Sequence, residues 1–403
     1  MSKLNVESKY DVVVIGAGPA GSQFARFAAK GGMNVLVIDK KKELGSPVRC
    51  GEGITSNWEK KLGLNFRRQD YACEIKGIKV FAPNNHSLTL QTPQSTGFVL
   101  ERKIFDKELA INAAREGAHF LPYSLVTDLI EKDSKPSGVK VKTPNGQIEV
   151  SCDLVVCAEG MESKIARKAG FAALSRASEV DICYEYEMVN VDCKDLIEVY
   201  FGNKLAPRGY LWVFPKGKDV ANVGIGAGGA TGADPKKLLD EFIAGNQRFK
   251  NAQAVEVKGG VISVGAPQKE LVKDNAMIIG TSAHQVDPIH GGGIGLAIEA
   301  GFMASQAAVQ AFERKDYSAS SLSSYQREWW SAAGPKLEKR LKLRFVLEKF
   351  SDDDVNALLG AMDSESLDNI LSGDFAAVLK QTGRLGKVML TKPHLIPLLG
   401  SLL

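Results

Sequence analysis

The chain of 403 residues contains no run of about 18 consecutive apolar residues, so no segment reads as a transmembrane helix. Its opening, MSKLNVESKYD, has no apolar signal segment, and a cytoplasmic protein is the expectation. Cysteine spacing of the CxxC kind is missing. Six cysteines (Cys50, Cys73, Cys152, Cys157, Cys183, Cys193) and five histidines are scattered along the chain, which argues against a zinc or iron–sulfur site; no metal is expected. Charge of one sign is missing as well: the net charge is only +4. With no motif that interleaves aromatic and basic residues, a nucleic-acid partner is not expected.

What is present begins at Tyr10. Residues 10–15 are an apolar, β-branched run that reads as a buried parallel strand. Gly16-Ala17-Gly18-Pro19-Ala20-Gly21 follows at once, then an Ala-rich helix to Gly31 and a second strand, Val35–Ile38, that ends in Asp39. This is one βαβ unit with glycines in its turn. The first glycine permits the turn, the second lets a pyrophosphate approach the backbone, and the third lets helix and strand pack closely. Asp39, 18 residues past Gly21, is placed to accept a ribose hydroxyl. A dinucleotide site is expected, and no second unit of this kind exists for a nicotinamide.

Further along, residues 74–100 alternate as a hairpin excursion around Pro83-Asn84-Asn85, and Val99–Ala118 returns to helix. A hairpin with Asn145-Gly146 at its tip is expected over 138–150, with a separate buried strand at Cys152–Ala158. From 180 to 265 the pattern becomes a meandering antiparallel sheet interrupted by one helix, Pro235–Ala244. Residues 276–313 revert to strand, loop and long helix. The basic run 327–344 reads as a solvated helix face, with an anionic contact as the alternative. The tail VMLTKPHLIPLLGSLL is broken by Pro393 and Pro397. It is expected to dock on the body, with a membrane interface as the alternative.

Three segments resemble the flavoprotein fold of the aromatic hydroxylases: the opening unit, Asp153–Ser163, and Gly280-Thr281-Ser282-Ala283 with Asp287-Pro288 and Gly291-Gly292-Gly293-Ile294. Two more narrow the family. Gly45–Gly53 (GSPVRCGEG), and Pro207–Pro215 (PRGYLWVFP) followed by Gly224-Ile225-Gly226, resemble the archaeal geranylgeranyl reductases. The resemblance implies an α/β chain (α+β overall). A Rossmann-like FAD-binding domain would comprise 1–75, 98–172 and 275–313. An inserted antiparallel-sheet substrate domain would comprise 76–97 and 173–274, followed by a C-terminal helical region, 314–403.

It also implies a flavin held by Gly16, Gly18, Ala20, Gly21, Asp39, Cys50, Gly51, Gly53, Arg102, Val126, Thr281, Gly293 and Ile294. Thr281 stands where the superfamily usually has Asp, and Glu159 also replaces an Asp. The implied reaction is hydride transfer from reduced flavin to an isolated double bond, with protonation of the adjacent carbon. Cys50 is the candidate proton donor. Tyr210, Trp212 and Phe214 alternate on one face of a strand, and with Gly224 and Gly226 would grip a prenyl chain; Tyr210 and Trp212 would also stabilise developing positive charge. The substrate implied is a digeranylgeranyl glycerophospholipid, and the electron donor NAD(P)H or reduced ferredoxin, with peripheral membrane contact as a further expectation. A flavin monooxygenase or halogenase of the same fold is one alternative, although the halogenase WxWxIP pattern is replaced here by YLWVFP. A non-redox prenyl-lipid carrier is the other.

Overall fold

The structure, a computed structural model, describes residues 6–62, 64, 66–372, 388 and 390–400. Two compact units emerge. The first comprises 1–48, 101–175 and 265–337, the second 49–100, 176–264 and 338–403. These boundaries differ from those expected. Residues 49–75 count with the second unit because the strand Gly53–Thr55 pairs with Gly97–Leu100, which also pairs with Tyr71–Ile75. Of the C-terminal stretch, residues 314–337 count with the first unit and those from 338 with the second. Its helix Ala319–Leu347 contributes residues to both units.

The first unit is built on a mixed sheet in the order Val272–Lys273, Ala276–Ile278, Gly146–Cys157, Lys9–Ile15, Val35–Ile38, His119–Leu121. The pairs around Lys9–Ile15 are parallel, with Val12 opposite both Leu154 and Val35. Val12, Val13 and Val14 are fully buried, as a parallel strand covered on both faces requires. Gly146–Cys157 is one continuous strand rather than the two expected. Its first half is a hairpin arm against Lys135–Thr143, and its second half joins the parallel sheet and is buried without a break from Leu154 to Cys157. The period of burial changes along the strand while the backbone runs on.

Helix Pro19–Lys30 starts at Gly18 with proline in its first turn and ends at Gly31. It crosses Ile294–Arg314 at backbone contact: a Cβ on Gly301 would lie 2.3 Å from the Ala20 carbonyl oxygen. Small residues at this crossing set the distance between the two helices.

The second unit holds a seven-stranded sheet in the order Gln253–Ser263, Val180–Val189, Val220–Gly228, Tyr210–Pro215, Ile197–Tyr200, Gly77–Phe81, Ser87–Gln91. It is antiparallel as expected except at one pair, Ile197–Tyr200 with Gly77–Phe81, which is parallel. The period of two divides its residues cleanly. Leu211, Val213, Ala221, Val223, Ile225 and Met188 face a core closed by Leu239 of helix Pro235–Ala244. The helix start is capped by Asp234, whose carboxylate accepts from the Lys236 and Lys237 N–H groups. Asp181, Cys183, Glu185, Glu187, Tyr210, Trp212, Phe214, Asn222, Gly224, Gly226 and Lys258 occupy the opposite face by the same register.

The basic run is not one solvated face. Arg344 is buried and gives paired bonds to Asp181 (2.7 and 3.2 Å) and one to Glu348 (2.7 Å), while Lys336, Lys339 and Lys342 are exposed. In the described part of the tail, Val388 and Leu395 pack with Val346, Phe350 and Leu358, so this part docks on the second unit.

Candidate functional site

In the first unit the glycine turn is shaped to receive an anion. Gly16 has φ +106°, and a Cβ there would lie 2.3 Å from the Ala158 oxygen; a Cβ on Gly21 would lie 2.0 Å from the Gly16 oxygen. Both positions require glycine. At Gly18 a Cβ would meet nothing within 4 Å, so the backbone is open to a ligand. The helix start behind it has no side-chain cap and no acid in its first turn, which leaves its N–H groups and positive dipole end for a phosphate. Asp39 is fixed at the end of its strand by bonds from the Ala17 and Lys41 N–H groups (2.8 and 2.7 Å). The start of Ile294–Arg314 is likewise uncapped and free of acids, with Gly293 at its N-cap. These features fit a dinucleotide at one helix and a second negative group at the other.

The remaining expected residues of this unit fall as follows. Ala20 packs under Gly280, whose Cβ would lie 2.9 Å from it. Thr281 is half-buried in a short turn, Gly280–Ala283, and no described hydrogen bond uses its hydroxyl. Arg102 opens helix Arg102–Arg115 and is held by two bonds to Asp106 (2.7 and 2.6 Å). Val126 is buried in a strand opposite Val141. Glu159 caps the helix Lys164–Lys168 by accepting from the N–H groups of Ile165 and Ala166, so the Asp-to-Glu change keeps a structural task. His284 is buried against Ser175 and Gln268, and His290 pairs with Asp287.

In the second unit the Cys50–Gly53 loop lies on the aromatic face of the Tyr210 strand. The Tyr210, Trp212 and Phe214 rings are tilted against one another at 5.7 and 6.1 Å. A Cβ at Gly51 would sit 3.2 Å from both Trp212 Nε1 and Phe214 Cε2, and one at Gly53 would sit 3.3 Å from Phe214 Cε2. Trp212 lies flat across Gly224, where a Cβ would come within 2.4 Å of the indole. Gly226 has the Trp212 ring and Cys183 at ordinary contact distance. Cys50 is half-buried, and its sulfur accepts the Glu52 N–H at 3.2 Å.

Beneath this loop is a cluster of buried charges that the sequence reading did not single out. The Glu52 side chain, 1% exposed, accepts from Lys216 (2.9 Å), Asn222 (2.8 Å) and Lys258 (3.0 Å). Lys258, 2% exposed, also reaches Glu187 at 3.3 Å and Glu185 at 3.4 Å. Trp212 donates its indole N–H to Glu185 at 2.8 Å. Burial works to raise the Glu52 pKa, but Lys216 and Lys258 outweigh it and hold the carboxyl below its ordinary value. At Glu185 burial wins over Lys258 and the indole, and the pKa is pushed up to about 7. Burial acts against the Lys258 cation, but Glu185 and Glu52 overcome it and raise its pKa. One signal was available: Asp181, Glu185 and Glu187 all fall on one face of a strand otherwise rich in apolar and aromatic residues.

Known proteins resemble the chain along these lines. A model described as the geranylgeranyl reductase catalytic domain matches residues 179–262, and one described as an FAD binding domain matches 9–216. A digeranylgeranylglycerophospholipid reductase of Methanocaldococcus jannaschii is 40% identical, covering 90% of this chain and 92% of its own. A second such reductase, from Methanothermobacter thermautotrophicus, is 37% identical over 92% and 96%. The crystal structure of a geranylgeranyl bacteriochlorophyll reductase-like protein from Thermoplasma acidophilum superposes with TM-score 0.87 at 33% identity, covering 93% of this chain and 98% of that one. A flavin-dependent brominase, at 21% identity and TM-score 0.71, shares the fold. Identity of 37–40% over at least 90% of the chain, with the two family models matching 9–216 and 179–262, places the chain in the digeranylgeranylglycerophospholipid reductase family of FAD-binding proteins.

Proposed function

We propose that this chain is an FAD-dependent oxidoreductase acting on CH–CH groups, which saturates the geranylgeranyl chains of 2,3-di-O-geranylgeranylglyceryl phospholipids in membrane-lipid biosynthesis. The observation that carries this is the match of the geranylgeranyl reductase catalytic domain to the very sheet that bears Tyr210, Trp212 and Phe214. When bound and reduced, FAD would supply the hydride. Gly16, Gly18, Ala20, Gly21, Asp39, Arg102, Val126, Thr281, Gly293 and Ile294, with Cys50, Gly51 and Gly53, are the residues we assign to holding it. The uncapped helix starts and the glycines that tolerate no Cβ support that assignment.

The three rings offer an apolar face to a prenyl chain and exclude water from it. Cys50 holds the proton that the second alkene carbon receives, and the thiol is kept on the loop by the Glu52 N–H. The donor is a reduced nicotinamide or reduced ferredoxin. A cytoplasmic chain that touches the membrane only peripherally fits such a lipid. Among the described residues no helix is long and apolar enough to cross a membrane.

Anaerobic incubation of the flavin-loaded protein with each donor and a digeranylgeranyl phospholipid, followed by mass counting of added hydrogens, tests the reading. Hydrogens should be added in pairs with one donor. Lipid bound but unchanged with every donor would point to a carrier. Cys50→Ala should lower the rate by about 10²-fold or more while flavin stays bound. A flavin-loaded Cys50→Ala protein with the parent rate would remove Cys50 as the donor.

A further inference from the structure

The charged cluster under the Cys50 loop has no place in the reaction as described so far, yet it touches both of its parts in the second unit. Glu185 is fully buried, and one of its oxygens accepts the Trp212 indole N–H. No described hydrogen bond reaches the other oxygen; the Lys258 ammonium lies 3.4 Å from it. Lys258 in turn binds Glu52 and Asn222, each at 3.0 Å. The backbone N–H of Glu52 is the group that holds the Cys50 sulfur.

A buried carboxyl needs a reason, because desolvating it costs several kcal/mol unless it is well paired. Here the pairing is incomplete, and the geometry around the ring is strict. Trp212 can lie flat only because residue 224 is glycine, and a Cβ on Gly51 would sit 3.2 Å from the indole nitrogen. An indole without its acceptor would leave a buried N–H unpaired and would be free to rotate off Gly224.

We propose that Glu185 is a positioning residue for the reduction: it fixes the Trp212 indole across Gly224 and joins it through Lys258 to Glu52 and the Cys50 loop, so that one buried network sets the ring and the thiol together. This rests on the reading that Trp212 contacts the prenyl chain. Because Glu185 titrates near neutral pH, the tether changes character there. The groups facing it are Lys258 from one paired strand, Trp212 from the Tyr210 strand and Glu52 from the loop; Lys216, just past the Tyr210 strand, and Asn222, on the other paired strand, join through Glu52 and Lys258. On its own strand Asp181, Cys183 and Glu187 share its face.

Flavin-loaded Glu185→Leu should raise KM for the lipid about tenfold or more, whereas Glu185→Gln, which retains an acceptor oxygen for the indole, should keep KM within about threefold of the parent. The fluorescence difference between parent and Trp212→Phe should inflect near neutral pH, and the same difference taken in the Glu185→Gln background should be flat. If Glu185→Leu does not fold, the Glu185→Gln fluorescence titration decides alone. An unchanged inflection in Glu185→Gln, or a folded Glu185→Leu with the parent KM, overturns the inference. Trp212→Ala separates the two levels. If it raises KM while Glu185→Leu does not, the positioning role fails and the reading of Trp212 stands. If Trp212→Ala leaves KM unchanged, Trp212 does not contact the lipid and the inference falls with it.

Discussion

Gly18→Ala is expected to give a folded protein that has lost at least about tenfold in FAD affinity, and Gly21→Val one that binds no flavin and is itself unstable. The two changes separate the ligand from the fold. Gly18 has φ −73° and ψ −177°, which alanine adopts without strain, and its Cβ would meet nothing within 4 Å. The added methyl therefore costs the apoprotein little. On the proposed assignment, though, it stands at the open backbone where a pyrophosphate would approach the start of helix Pro19–Lys30. At Gly21 any Cβ lies 2.0 Å from the Gly16 oxygen, so the helix must back away from the turn and from Gly280 and Gly301, against which Ala20 packs. Flavin absorbance per chain and the melting temperature of the apoprotein check both. Parental flavin affinity in Gly18→Ala would remove the pyrophosphate from this turn.

Lys258→Met should destabilise the protein by about 3–5 kcal/mol at pH 8, since it strips the cation from carboxylates that stay buried. Lys216 continues to hold Glu52, whereas Glu185 has no other cation within salt-bridge distance among the described residues. The sign with pH follows from Glu185. Its folded pKa, about 7, lies above the ordinary value of 4.5. The folded state therefore keeps a proton that the unfolded state releases. This group's contribution is fully present below the ordinary value and is lost as pH rises to about 7, a span worth about 3 kcal/mol.

Glu52 and Glu187 act in the opposite sense. Their lowered values contribute stability above the ordinary carboxylate range, and it is lost as pH falls through their folded values. Without Lys258 the Glu185 carboxyl is neutral over a wider range and needs no cation, so Lys258→Met should lie closer to the parent at pH 5.5 than at pH 8. Urea unfolding of both proteins at the two pH values measures it. An equal gap at both would show that Glu185 does not carry the effect.

Much of this was legible in the order of residues alone because it rests on local chemistry. The βαβ turn is written in glycines whose spacing matches the backbone contacts that forbid a Cβ. The alternation of Tyr210, Trp212 and Phe214 could only put three rings on one face of a strand. Where the reading went astray, the cause was non-local. Residues 146–157 change from mostly exposed to mostly buried without any break in the chain, so a change of partner resembles a change of element. The loop at 49–55 follows the nucleotide unit in sequence, but its strand Gly53–Thr55 pairs with Gly97–Leu100. The basic run at 327–344 looked uniform, and only packing separated exposed Lys336, Lys339 and Lys342 from buried Arg344.

By itself the sequence determined the glycine turn and the strand that carries the aromatic face, since each depends on residues within a few positions of one another, and the family, since each of its motifs is local even though the motifs lie far apart. Only the tertiary structure decided that Glu52, Glu185, Glu187, Lys216 and Lys258 form one buried cluster. They come from the loop, from two neighbouring strands and from just past a third, across up to 206 positions of sequence. Their charges mean nothing singly, because an exposed Lys or Glu is ordinary. It is the register of the sheet, which brings them to one face and removes water from it, that turns them into a network with a shifted pKa.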